Sequence, residues 1–299
     1  MQANAEAREA KKRIRKNSQG REVWNRICHR PVAVISLIGC AFILLLAIFA
    51  DVLIPYEAAI KQVAANKLLP PFSPGHLLGA DNFGRDILAR IIHGARTAME
   101  IGLISTLASL VISTILACVG SMLGGWVDLI IMRFIDVISC VPGMVVALAI
   151  CAALGNGIPQ LLVALTVSGL PMHTRMIRSV ALGVSKMDYV ESAVALGGSP
   201  GYIMWRHMVP NLVSVIIVNG TTQVSINIMQ GATLGFIGLG VRESTPEWGT
   251  MLSSGLTFML NSPHTVLIPG IALCLAALCI NTFGDCLRDA FDPHLKGKS

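Results

Sequence analysis

The sequence predicts an all-α, polytopic membrane protein with six transmembrane helices and both termini in the cytoplasm. Three observations carry that prediction. Of 299 residues, 54% are hydrophobic and only 13% charged, where about a quarter charged is usual for a soluble domain. Several uncharged runs reach the roughly 20 residues that a helix needs to cross the hydrocarbon core. The charge is also placed asymmetrically: residues 1–30 hold nine Lys/Arg against Glu6, Glu9 and Glu22, a surplus of six that equals the whole formal net charge of +6. Such a composition excludes a disordered chain, a disulfide-stapled secreted domain and a water-soluble enzyme of this length.

The basic tail, 1–31, stands directly before the first apolar run, so the positive-inside rule reads it as cytoplasmic and lying on anionic lipid. A nucleic-acid partner is not needed to explain it. Val32 to Ala50 is 19 residues without a charge, roughly 28 Å of helix, and Ile48-Phe49-Ala50 is a poor cleavage site. It is expected to be an anchor, not a signal peptide.

A Pro/Gly-rich polar connection, 52–95, follows outside. Ile101 to Trp126 returns inward as the second span, and Asp128, Arg133 and Asp136 mark the inner turn before the third. Val137 to Met172 has no charge over 36 residues, too long for one span. Gly155-Asn156-Gly157-Ile158-Pro159 divides it into spans three and four. Arg175, Arg178, Lys186 and Arg206 punctuate a cytoplasmic connection, 175–207. Span five runs from near Pro210 to about Leu234, an external connection covers 235–264, and Thr265 to Phe283 forms span six. The six-helix unit thus occupies 32–288, and 289–299 form a cytoplasmic tail. Cysteines lie in or beside the apolar runs, none in a C-x-x-C, and are read as free, apolar packing residues.

Within the cytoplasmic connection, Lys186 to Leu196 favours helix. Gly197-Gly198 is a stop, Ser199 can cap a second helix, and Pro200 suits its first position. Two short helices meeting at a corner are expected, as either an ordinary loop or a projecting contact surface. Asp188 and Glu191 share one face of the first helix. On span five, Asn219, Gln223, Asn227 and Gln230 also share one face. That face must meet protein or water, as interhelical hydrogen bonds or as a pore lining. Asp81, Arg85 and Asp86, with Gly84, form a charge cluster in the first external connection that either clamps the loop or meets a docking partner. The glycines at 235, 238 and 240 permit a tight, re-entrant backbone.

Asp188-Tyr-Val-Glu191-Ser-Ala193-Val-Ala-Leu-Gly197-Gly198 to Arg206-His207-Met-Val-Pro210 resembles the coupling loop of ABC-importer permeases, with Ser192 and His207 as departures from the usual pattern. The His resembles the dipeptide/oligopeptide/nickel branch. Leu78-Gly-Ala-Asp81-Asn-Phe-Gly84-Arg85-Asp86, Leu234-Gly-Phe-Ile-Gly-Leu-Gly240 with Trp248-Gly249, and Asn281-Thr-Phe-Gly284-Asp285 through Pro293 are similar to further signatures of that branch. The short first external connection resembles its second, C-type permease. The resemblance covers about residues 30–295.

It implies a permease subunit in a bacterial plasma membrane, moving peptides, nickel or a related solute. Its partners would be a second homologous permease, two cytoplasmic ATPase subunits, an external solute-binding protein and membrane lipid. ATP and Mg would be bound by those ATPases, with no cofactor, metal or catalytic residue in this chain. Gly297-Lys298-Ser299 lacks the upstream glycine and following helix of a phosphate loop. The alternative is an ion-coupled secondary transporter. Such carriers usually hold an ionisable residue at mid-membrane, whereas Asp51, Glu100, Arg133 and Asp136 are expected near span ends.

Overall fold

The computed structural model describes Cys28 and residues 30–291. Most of the basic tail and the C-terminal residues from Asp292 onward lie outside the described residues. The described residues are helical, with no named strand among them.

Helix α1, Pro31–Ile48, starts with proline at its first turn and leaves most of its surface unburied. Short helices α2, Ala50–Leu53, and α3, Tyr56–Ile60, lead into an irregular connection. Helix α4, Ile87–Leu123, is the centre of the bundle. It begins well before the expected Ile101, because Asp86 caps it by accepting from the Ala89 amide at 2.8 Å. Its charged first turns, with Arg90 only 1% exposed, are hidden in protein. The first expected external connection is shortened accordingly.

Gly124, at φ +59°, ends α4 and turns the chain into α5, Gly125–Ser139. The third span is not one straight helix. Cys140, Val141 and Pro142 break the chain, and α6, Gly143–Leu154, leaves at 82° to α5. Pro142 cannot donate the amide a continuous helix would need. Helix α7, Ile158–Val184, then runs about 40 Å. It carries Arg175 and Arg178 on its last turns, so the polar connection begins near Ser185, ten residues later than expected. Short helices α8, Asp188–Ala195, and α9, Pro200–Ile203, follow, then a π-helical turn, Met204–Met208. Helices α10, Val209–Ile237, α11, Trp248–Leu256, and α12, His264–Phe291, complete the chain.

Four helices, α1, α4, the α9–α10 run and α12, are long and apolar enough to cross a membrane, and the bent α5–α6 pair makes a fifth. Helix α7 is long enough, but Thr166, His173, Thr174, Arg175 and Arg178 make it more polar, the first three being buried.

Packing explains that polarity. Ser105, Ser109, Ser113 and Ala117 recur every fourth residue along α4, each fully buried. Small side chains let helix backbones approach, and their hydroxyls bond across the interface. Against this stripe α7 brings His173, whose Nδ1 is 2.9 Å from Ser109 Oγ, and Thr174, which donates to Ser113 Oγ at 3.1 Å. The start of α1 and the end of α12 meet at one end of the bundle, where Arg30 donates to Asp289 at 2.6 Å. The turns at 155–157 and 238–240 meet at the other, where the Asn156 amide donates to the Gly238 carbonyl at 2.8 Å.

Candidate functional site

At the end expected outside, the charge cluster pairs locally. Asp81 accepts through Oδ1 from the Phe83 and Arg85 amides, both at 2.9 Å, and through Oδ2 from Arg85 Nε at 2.6 Å. Gly84 sits at φ +74°, and a Cβ there would lie 2.0 Å from the Val63 carbonyl oxygen. Arg85 and Arg90 both donate to the Glu243 carbonyl, at 3.0 and 3.4 Å, and Arg90 also to that of Ala59. The two buried guanidiniums therefore tie the connection before α4 to the one after α10. Asp86, besides capping α4, meets His76 Nδ1 at 2.7 Å.

Glu247 was not singled out by the sequence, since glutamate is a poor N-cap residue. It nevertheless caps α11, its carboxylate accepting from the Gly249 and Thr250 amides, each at 2.7 Å. Burial pushes its carboxyl up to about 7, against the lowering effect of those amides and of Arg90. Trp248 beside it donates its indole N–H to the Ile91 carbonyl at 3.2 Å. A Cβ on Gly249 would meet the Ala232 carbonyl oxygen at 2.0 Å, so α11 lies directly against α10. The Leu234–Gly240 stretch ends α10 with Gly238 left-handed at φ +87°.

The span-five amides divide. Gln223 donates to Asn227 Oδ1 at 2.8 Å, and Asn227 donates to Ser105 Oγ at 2.8 Å and Thr106 Oγ1 at 3.0 Å on α4. With Asn227 only 1% exposed, these two serve helix packing in this conformation and do not line an open path. Asn219 bonds back to the Val215 carbonyl at 2.7 Å. Gln230 is half-buried.

At the opposite end the polar connection forms the expected corner. Gly197 has φ +79°, and the Gly198 amide reaches back to the Ala193 carbonyl at 3.0 Å. Ser199 caps α9 by accepting from the Tyr202 amide at 3.4 Å. Val190, Ile203 and Met208 are buried in one apolar cluster with Ile177, Ala181 and Val184 of α7 and Leu212 of α10, with Ala193 packed against it. The corner is thus fused to the bundle. Its outer side carries Asp188, Glu191 and Arg206, all exposed, and large apolar side chains in water: Leu196 is 88% exposed. His207 packs near Tyr189 and Tyr202, with ring centroids 6.3 and 5.7 Å away. Pro210 opens α10 at its first turn.

Among the described residues no group of His, Cys, Asp or Glu is arranged to hold a metal ion. Comparison with known proteins decides what this architecture is. The family described as binding-protein-dependent transport system inner membrane component matches residues 109–297, nearly two thirds of the chain. The chain belongs to this permease family. The N-terminal TM domain of oligopeptide transport permease C also matches, at residues 18–71.

Among relatives, the permease is 36% identical over 276 residues to the glutathione transport system permease protein GsiD of Pectobacterium atrosepticum, covering 92% of this chain and 91% of that one. It is also 36% identical over 279 residues to the dipeptide transport system permease protein DppC of Alkalihalophilus pseudofirmus, covering 93% and 91%. The Escherichia coli O157:H7 GsiD is 34% identical over 276 residues, covering 92% and 91%. The permease is a translocation subunit of an ATP-driven importer, multi-pass in the inner membrane, and not itself an enzyme.

Proposed function

We propose that this permease moves small peptides inward, as half of a translocation path completed by a second, homologous permease. An external solute-binding protein would deliver the cargo, and two cytoplasmic ATPases, holding ATP and Mg, would drive the cycle. The peptide class rests on the dipeptide and glutathione permeases among its relatives. The ion-coupled alternative has no comparable support.

The observation that carries the coupling role is the corner at Gly197. It exposes a charged and apolar outer face while its inner face is buried in the cluster joining α4, α7 and α10. A push on α8 and α9 is therefore delivered to three long helices at once. ATPase closure would rock these helices to open the path outward, and hydrolysis would reset it inward.

We infer six spans with both termini cytoplasmic. In its favour, Arg30 and Asp289 pair at 2.6 Å, so the start of α1 and the end of α12 share one end of the bundle, as an even number of crossings demands. The basic tail favours the cytoplasmic side for that end.

Vesicle uptake tests the reading. Alanyl-alanine uptake by the reconstituted importer with its binding protein should require ATP and survive a protonophore. Uptake that persists without ATP and collapses with the proton gradient would transfer this chain to the secondary carriers.

A further inference from the structure

A cleft of about 570 Å³ opens where the α5–α6 break faces α7. Its lining includes Ser139 and Pro142 at the break, and Ser168, Met172, Arg175 and Met176 on one face of α7. Three features set it apart. Pro171 stands inside α7 at this level, 13 residues from either end of the helix. The one interruption of regular backbone there, the Cys140–Pro142 break, faces the proline inside α7. Irregular backbone at membrane depth is tolerated only beside protein or water, and broken helices commonly frame transport sites near the midplane.

The third feature is charge. Arg175 lies on the cleft wall with its side chain 47% exposed, and it donates to Asp136 at 2.8 Å. Asp136 is itself 44% exposed and also lies 3.8 Å from Arg133. The other guanidinium N–H groups of Arg175 have no partner among the described residues. An exposed ion pair cannot face hydrocarbon, so this side of α7 meets water, lipid headgroups or the partner permease. The volume lies within the usual range for small-ligand sites.

We propose that this cleft is a transit site for zwitterionic cargo, in which Arg175 takes the cargo carboxylate and Asp136 its ammonium group. This rests on the peptide reading above. A zwitterion suits the pair because it supplies both opposite charges, so splitting the Arg175–Asp136 contact leaves neither group uncompensated. A planar guanidinium also matches a carboxylate through two parallel hydrogen bonds. The apolar part of the cargo would lie against Met172 and Met176, whose flexible thioethers adapt to different side chains.

The test uses the whole importer in proteoliposomes, with alanyl-alanine and its C-terminal amide as probes. Wild type should import the free acid well and the amide poorly. Arg175→Gln should lower uptake of the acid by about tenfold, the cost of losing one charged hydrogen-bond pair. It should also remove the preference for acid over amide, and Arg175→Lys should restore part of both. Met172→Trp leaves the ion pair untouched and fills the cleft. It should cut uptake of the free acid and the amide alike. No ATP-driven uptake by wild type would overturn the peptide reading, and this site with it. Wild-type uptake that survives both Arg175→Gln and Met172→Trp would overturn the site alone. If Arg175→Gln fails to assemble, normal import by Met172→Trp still contradicts the proposal.

Discussion

Asn227 shows how much a single amide does inside this bundle. It accepts from Gln223 and donates to two α4 hydroxyls while only 1% exposed. Interhelical hydrogen bonds in membranes average about 0.6 kcal/mol each. We expect Asn227→Leu to lower stability in detergent by about 1–2 kcal/mol through these three contacts, visible as a reduced Tm. Gln230→Leu, which loses no hydrogen bond, should leave Tm almost unchanged. Equal effects would mean that the buried network is not what holds α10 to α4.

Glu247 makes the complementary case for a titrating group. Its carboxyl is raised from 4.5 to about 7, so between these values the folded chain binds more protons than the unfolded one. The associated stability is therefore full below pH 4.5 and is lost as pH rises through 7. The difference corresponds to about 3 kcal/mol. Glu247→Gln should flatten the stability profile between pH 4.5 and 7, measured by thermal unfolding. A profile that falls as steeply in the variant would assign the pH dependence to another group.

Among the elements, the α8–α9 corner was legible in the sequence because each of its signals is local. Gly197 supplies the left-handed turn, Ser199 the cap and Pro200 the first helical position. The turn at 155–157 was legible for the same reason. What sequence missed depends on neighbours. The early start of α4 was hidden because Arg85 and Arg90 read as loop charges, yet the carbonyls of Glu243 and Ala59 satisfy them. The amide stripe gave the correct shared face, but not the helix it would meet. The α5–α6 break followed a proline in an otherwise continuous apolar run, where hydropathy carries no information on direction. At the corner itself, Gly197→Val forces a β-branched residue into φ +79°. We expect normal membrane insertion but loss of ATPase co-purification and of coupled uptake. Wild-type co-purification would show that the corner's geometry is not required.

For the whole molecule, opposite ends of one bundle are built differently. One end is locked by Asp81, Arg85, Arg90 and Glu247. The other presents an exposed corner welded to three helices. Cys28, exposed beside α1, and Cys286, near the end of α12, lie towards the same end. Single-cysteine variants retaining one or the other should react with an impermeant maleimide only from the cytoplasmic side. Labelling from outside intact cells would refute the proposed topology.

The coupling claim meets its most direct test in site-specific photo-crosslinking within the assembled importer. Leu196 at the corner is 88% exposed and Leu260, in the connection between α11 and α12, is 99% exposed, so both positions tolerate a photoreactive side chain. The expected result is a crosslink from position 196 to an ATPase subunit and none from position 260. A crosslink to the ATPase from position 260, with none from 196, would contradict the account.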